Sequence, residues 1–350
     1  MKTETEIVFE SDMVDLPSED PNALQVPPSF FPGDIDFFCA EIPTAIHCSA
    51  KEYHRIKAYS NTFGSSLLKN SPDYEKAFKP SKATASMTFG SVYEIFFEHL
   101  YRTIAEGKFK TLEKLSLDAR EISEQVAVMG GDWRANDNRA KKFIEDNPNK
   151  YIISPKQLKQ VMQMLKSALS NKEFPHYLSG DWQTVLLWIE DGLPMKCMID
   201  HLATNLKSRN KLQAGDLKTS KQASYLGFSD SADRYYYDHQ AVHYMSGLKH
   251  VYPQSKIAPF VWYVCESEEP FGNAIYEMDE VMEEAGKVAR KASISLTKDL
   301  HKNGRSEFPL YTDHGPDGKY LLSFSDKVLN KRFKLEMRFE NAELDTADSQ

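Results

Sequence analysis

The residues best placed to do chemistry lie between Pro194 and Ser220. Side chains on a β-strand alternate between faces. A strand over Met195–Asp200 therefore puts Lys196, Met198 and Asp200 on one face, and Met195, Cys197 and Ile199 on the other. A second strand ending near Ser220 puts Ala214, Asp216 and Lys218 on one face and turns Leu217 away. If the two strands pair, two carboxylates and one ammonium converge at one end of a sheet. Close carboxylates repel unless a cation lies between them. Oxygen-only ligation of that kind suits Mg²⁺ or Mn²⁺.

Other elements must hold this pair of strands. Trp182–Ile189 reads as a strand, and Asp191-Gly192 as the hairpin turn into Met195–Asp200. Phe89–Ile104 has Val92, Ile95, Phe96 and Leu100 at helical spacing, with Gly90 near its start and Glu94 one turn in. Ser65-Ser66 opens a short capped helix that ends at Pro72. Ser123–Met129 reads as helical before the Gly130-Gly131-Asp132 turn. A lysine-rich helix follows from Asn138. Ser154-Pro155 starts a helix to Leu169. After Ser220 the pattern predicts a polar loop, then one helix over Asp233–Leu248 carrying Tyr236, Tyr237, Gln240 and Tyr244. Ala258–Cys265 reads as a buried strand, Asn273–Met278 as its neighbour, and Asp279–Leu300 as an amphipathic helix. The expected fold is α/β (α+β), a central mixed sheet flanked by helices. Residues 1–50 are expected to form an acidic, Pro-rich arm, 51–300 the main domain, and 301–350 an extension with a Gly315–Gly318 turn between short strands and a frayed end.

The bulk composition narrows the class. Of 350 residues, 41% are hydrophobic and 27% charged, with 20 Phe and 17 Tyr, enough for a sizeable core. No apolar run approaches the roughly 18 residues that span a membrane, and the first residues lack the basic-then-apolar pattern of a signal peptide. A cytoplasmic protein is expected. Cys39, Cys48, Cys197 and Cys265 are scattered, so a zinc ribbon or disulfide framework is not expected. The net charge of −8 argues mildly against general nucleic-acid binding. The acid is uneven, however: the first twenty residues carry seven Asp or Glu against one Lys, while Lys51–Lys82 and Lys141–Lys172 are Lys-rich and could meet a phosphate backbone.

In order along the chain, Gly90-Ser91-Val92-Tyr93-Glu94, then Asp200, then Asp216-Leu217-Lys218, then Gln240-x-x-x-Tyr244 resembles the PD-(D/E)XK nuclease superfamily. More narrowly it is similar to the RecB-like branch and its RecE-type (exonuclease VIII-like) members, over roughly Ser60 to Met278. Asp-x-Lys or Gln-x-x-x-Tyr alone is weak; all four in order, in the right strand and helix contexts, are specific. Glu94 stands where RecE-type members usually carry His and lambda-type exonucleases carry Glu. The resemblance implies a restriction-endonuclease-like core and Mg²⁺-dependent hydrolysis of phosphodiester bonds, most simply by an exonuclease on linear double-stranded DNA ends in phage-type recombination or repair. It implies Asp200, Asp216, the Leu217 carbonyl and Glu94 as ligands of Mg²⁺, with Mn²⁺ as substitute. The ion would activate water and neutralise the phosphate. Lys218 would orient water and phosphate, or shuttle a proton if its pKa were depressed. Gln240 and Tyr244, four apart on a helix face with Tyr237 a turn earlier, would touch the DNA backbone or hold the lysine. Ser65 or Ser66 would bind a terminal phosphate. A homo-oligomeric ring and a single-strand annealing recombinase as partner are further implications.

Other readings compete. A catalytically silent DNA-end or recombinase-binding module of the same fold would carry the same motifs. The Tyr236-Tyr237 pair serves equally as core, interface or stacking platform. His239 and His243 have zinc-helix spacing, but Gln240 replaces the Glu that such a site needs. An iron–sulfur cluster needs three clustered cysteines late in the chain, and only Cys265 lies beyond Lys218.

Overall fold

The computed structural model describes residues 25–35, 43–69, 75–78, 84–105, 120–134, 136–173, 180–203 and 211–304. The chain divides into units 1–305 and 306–350. The second unit, with the expected Gly315–Gly318 turn, lies outside the described residues, as does most of the expected N-terminal arm.

The helices are α1 (Ala50–Arg55), α2 (Asn61–Lys69), α3 (Glu75–Phe78), α4 (Ala85–Ala105), α5 (Arg120–Ser123), α6 (Asn138–Asp146), α7 (Pro155–Ser170), α8 (Tyr225–Tyr235), α9 (Tyr237–Val251) and α10 (Glu280–Asn303). The strands are β1 (Thr44–His47), β2 (Val126–Val128), β3 (Tyr151–Ile153), β4 (Gly180–Glu190), β5 (Leu193–Ala203), β6 (Lys211–Ser220), β7 (Lys256–Ile257), β8 (Val261–Glu266) and β9 (Asn273–Glu277). The main sheet runs β1-β4-β5-β6-β8-β9, with β7 beside β6; β2 and β3 form a separate parallel pair. Among the described strands, the β6 pairings with β7 and β8 are parallel and the other pairings antiparallel, so the main sheet is mixed.

Local chemistry sets several boundaries. Ser154 and Gln157 exchange reciprocal capping bonds around Pro155, which fixes the start of α7. Asp191 and Gly192 both take positive φ, as a two-residue β4–β5 hairpin requires. The expected helix over Ser123–Met129 is instead the end of α5 followed by β2. Val126 and Val128 favour an extended backbone, and β3 supplies the pairing partner. α2 begins at Asn61, so Ser65 and Ser66 sit inside it and do not open it. The expected polar loop after Ser220 contains α8. The helix expected over Asp233–Leu248 is broken at Tyr236, which takes left-handed backbone (φ 57°, ψ 49°). Neither Gly nor Pro marks that break.

Apolar side chains pack on both faces of the sheet. One cluster joins Trp188, Met195, Cys197 and Trp262 to Phe63, Ala241, Leu248 and Ile294, bringing in α2, α9 and α10. The opposite cluster joins Leu217, Val261 and Tyr263 to Phe96, Phe97, Val161 and Leu165 of α4 and α7. Burial at about 25 cal/mol per Å² makes these layers the main source of stability. Arg290 of α10 donates to both carboxylate oxygens of Glu190 at 2.6 and 2.7 Å, tying that helix to the hairpin.

Candidate functional site

β5 and β6 pair only between His201–Ala203 and Gln213–Gly215. Past that point the two strands part, and β6 continues beside β8. Asp200 and Asp216 stand at this fork, one on each strand. The Leu217 N–H donates to Asp200 Oδ2 at 3.1 Å, so a side chain takes the place of a ladder partner. On the other side of Asp200, the β4–β5 ladder skips the Gln183–Asp200 pair. Gln183 there has φ 53°. A non-glycine residue in that region costs about 1–3 kcal/mol, and such strain collects at functional sites.

Asp216 is 2% exposed. Its Oδ1 accepts from Gln240 Nε2 at 2.8 Å. The same amide nitrogen lies 3.2 Å from Tyr244 Oη. Asp216 Oδ2 accepts no directed hydrogen bond but meets Lys218 Nζ as an ion pair. The Lys218 ammonium also lies 4.8 Å from the centroid of the Tyr237 ring. Gln240 thus holds the carboxylate, while Tyr237 supports the lysine. Glu94 approaches from α4, within electrostatic reach of Asp216 and Lys218. One turn earlier, Gly90 brings α4 close to β6: a Cβ there would lie 3.4 Å from Thr219 Oγ1.

The charges are out of balance, three carboxylates to one ammonium. Burial, then the Asp216 carboxylate, pushes the Glu94 carboxyl up to about 8. Burial, then Asp216 and Glu94, holds Asp200 well above the usual carboxylate range. Burial works against the Lys218 charge, but Asp216, Tyr237 and Asp200 outweigh it and raise its pKa. In this arrangement the raised pKa keeps Lys218 charged against Asp216, placed to orient an anion.

A divalent ion would offset the excess negative charge. Among the described residues, no three His, Cys, Asp or Glu side chains converge tightly enough to enclose one as they stand. Lys218 lies against the Asp216 oxygen that would be needed. The donor chemistry does fit: Asp200, Asp216 and Glu94 offer carboxylate oxygens, and Leu217 offers a backbone oxygen between Asp216 and Lys218, the ligand type that hard cations take.

The remaining expected residues divide. Ser65 is buried in α2, where its Oγ donates to the Thr62 carbonyl at 3.3 Å. Ser66 is half-buried in the same helix. Lys196 is away from the cluster. Its Nζ donates to the Tyr53 and Ile56 carbonyls at 3.0 and 2.5 Å, closing the end of α1. His239 and His243 are buried in a hydrogen-bonded network. His239 meets Asn61 Oδ1, Tyr59 Oη and Ser293 Oγ at 2.7, 3.1 and 3.0 Å. His243 meets the Lys196 carbonyl at 3.0 Å. Tyr235 and Lys69, which no sequence spacing singles out, join the Tyr237 ring at the edge of the site. Tyr235 stacks on Tyr237 at 5.9 Å, and Lys69 Nζ lies 5.3 Å from the Tyr235 centroid.

Strands that part around two aspartates and a lysine, inside a mixed sheet with helices on both faces, define a PDDEXK-like fold. The chain belongs to the family described as "PDDEXK-like domain of unknown function (DUF3799)", whose model matches residues 66–311. Glu94, Asp200, Asp216, Lys218, Gln240 and Tyr244 all lie within that segment. No curated protein sequence matches the chain. A solved structure from Eubacterium rectale, described as a "Putative exonuclease", aligns over 81% of this chain and 98% of its own, at 12% identity and a TM-score of 0.49.

Proposed function

We propose that the protein is a Mg²⁺-dependent deoxyribonuclease, an exonuclease of RecE type acting on linear double-stranded DNA. One observation carries the reading: Asp200, Asp216 and Lys218 meet at the β5–β6 fork, with Glu94 of α4 in electrostatic reach. Bound at Asp200, Asp216, Glu94 and the Leu217 carbonyl, Mg²⁺ or Mn²⁺ would supply an activated water and a counter-charge for the phosphate. The chain's own groups do the rest. Lys218 orients the attacking water and a phosphate oxygen by charge. Gln240 fixes the Asp216 carboxylate, and Tyr237 fixes the lysine. Leu217 and Phe96 share the apolar cluster on the α4 side, behind the fork.

The resemblance extends the proposal to double-stranded DNA ends as substrate, a homo-oligomeric ring, a cytoplasmic setting and a single-strand annealing recombinase as partner. Among the described residues no helix is long and apolar enough to cross a membrane.

A second reading is favoured by one observation, the Lys218 ammonium already seated against Asp216. In that reading the fold binds DNA ends or a recombinase and cuts nothing. Purified protein with Mg²⁺ and a mixture of linear and circular plasmid separates the two. The exonuclease reading expects loss of the linear form only, and no loss with Asp216→Ala. Equal survival of linear DNA with wild type and Asp216→Ala refutes it.

A further inference from the structure

The break at Tyr236 presents three consecutive tyrosines beside the catalytic lysine. Tyr235 closes α8, Tyr236 takes left-handed backbone, and Tyr237 opens α9. The rings of Tyr235 and Tyr237 stack at 5.9 Å with 26° between their planes. Lys218 Nζ lies 4.8 Å from the centroid of Tyr237. At the other end, Lys69 Nζ lies 5.3 Å from Tyr235 and 5.6 Å from Tyr236. Two stacked rings therefore lie between two ammonium groups, from the end of α2 to the reaction centre.

Lys69 differs from the other cations of the site. Lys218 has Asp216. Among the described residues, no carboxylate pairs with Lys69, although it is exposed at the last position of α2. Partial burial of the ammonium lowers its pKa. An ammonium held on aromatic faces gains about 0.5–1 kcal/mol at an exposed site, and its remaining N–H donors stay available for an anion. Aromatic faces tolerate any base, and lysines bind phosphate as point charges. Asp233 and Asp238 face the other partner, Tyr236, and line a cavity of about 330 Å³ with Ser229, Ala232 and Met282. Their charge turns a phosphate away from that side and leaves the Tyr235 side open.

We propose that Lys69, mounted on Tyr235 and Tyr236, is a phosphate contact for the strand entering the site, making the row Lys69–Tyr235–Tyr237–Lys218 a nucleotide subsite beside the reaction centre. The proposal rests on the nuclease reading and extends it to residues outside the metal cluster. Lys69 is a positioning residue: it acts on strand binding, not on the reacting atoms.

Steady-state hydrolysis of an end-labelled linear duplex in Mg²⁺, measured from 50 to 200 mM NaCl, tests it. Lys69→Gln should raise KM about 5–10-fold with kcat within about twofold. It should also make the log–log salt dependence of kcat/KM shallower by about one, the signature of one lost phosphate contact. Lys69→Arg should recover most of the loss. Tyr235→Leu, which keeps the charge but removes its support, should raise KM about 2–4-fold, on the scale of one lost cation–π contact. If wild type hydrolyses the duplex and KM and salt slope are unchanged in both Lys69→Gln and Tyr235→Leu, the subsite is refuted while the nuclease reading stands. If wild type hydrolyses nothing, the nuclease reading falls and the subsite falls with it.

Discussion

Gln240 Nε2 donates to Asp216 Oδ1 at 2.8 Å, the one directed hydrogen bond that this buried carboxylate accepts among the described residues. The bond ties α9 to the β5–β6 fork and sets the rotation of the carboxylate at the candidate metal position. Gln240→Ala should therefore act on turnover more than on binding. Loss of a partner that orients a metal ligand typically costs 10–100-fold. We expect that fall in kcat with KM within about threefold, measured on end-labelled duplex. A KM effect alone would place Gln240 on the DNA instead.

In the metal-free protein burial first, and then mutual repulsion with Asp216, raise the Glu94 and Asp200 carboxyls. Replacing a carboxyl that the folded chain holds against ionisation should stabilise the apo form. Asp200→Asn keeps an oxygen to accept from the Leu217 N–H and removes a carboxyl that burial, Asp216 and Glu94 hold against ionisation. In EDTA its Tm should exceed the wild-type value by roughly 2–5 °C. Added Mg²⁺ or Mn²⁺ should raise the wild-type Tm and leave that of Asp200→Asn nearly unmoved. Differential scanning fluorimetry reads both, and a lower Tm for the variant in EDTA would show that the carboxylates are not in conflict.

His239 is buried beside Arg290 on a network with Tyr59 and Ser293. Burial, then the Arg290 charge, lowers its pKa to about 3. Burial and Arg290 likewise lower that of His243. The unfolded chain takes up these protons near pH 6.5, while the folded chain resists. Stability is thus fully present above pH 6.5 and falls as pH drops toward 3, by about 1.4 kcal/mol per histidine per unit. Urea unfolding at pH 7.5 and 5.5 should show this loss, and His239→Gln should show about 1.4 kcal/mol less of it. An identical pH dependence in the variant would place the acid sensitivity elsewhere.

Arg290 and Glu190 form a pair that is almost out of solvent, with Glu190 also accepting from Trp188 Nε1 and Ser246 Oγ at 2.9 and 2.8 Å. Arg290→Met should leave that carboxylate buried without its counter-charge and cost about 3–5 kcal/mol. Its hydrolysis rate at a temperature where it remains folded should match wild type. Chemical denaturation and a labelled-duplex assay check the two halves of this statement; a rate loss without destabilisation would contradict it.

Legibility in the sequence followed how local each cause is. The start of α7 and the β4–β5 turn are written in two to four adjacent residues, Ser154-Pro155 with Gln157 and Asp191-Gly192, and they appear where expected. The mixed sheet follows from apolar runs such as Val261–Cys265. Val126–Val128 misled because its strand character depends on β3, a distant partner. Tyr236 misled because no Gly or Pro marks the turn. The juxtaposition of Asp200, Asp216 and Lys218 was expected from strand alternation. That Gln240 would hold Asp216, and that Lys69 would reach Tyr235, depends on helix placement that no spacing records.

The proposed chemistry needs Glu94, Asp200, Asp216 and Lys218 to act together on DNA through a divalent ion. The most direct measurement is release of label from a linear duplex, in Mg²⁺ and in EDTA, by wild type and Asp216→Asn. Wild type should release label in Mg²⁺ alone, and Asp216→Asn should lose at least about 10³-fold, the scale of removing a principal stabilising group. Release that persists in EDTA, or that Asp216→Asn matches, would contradict it.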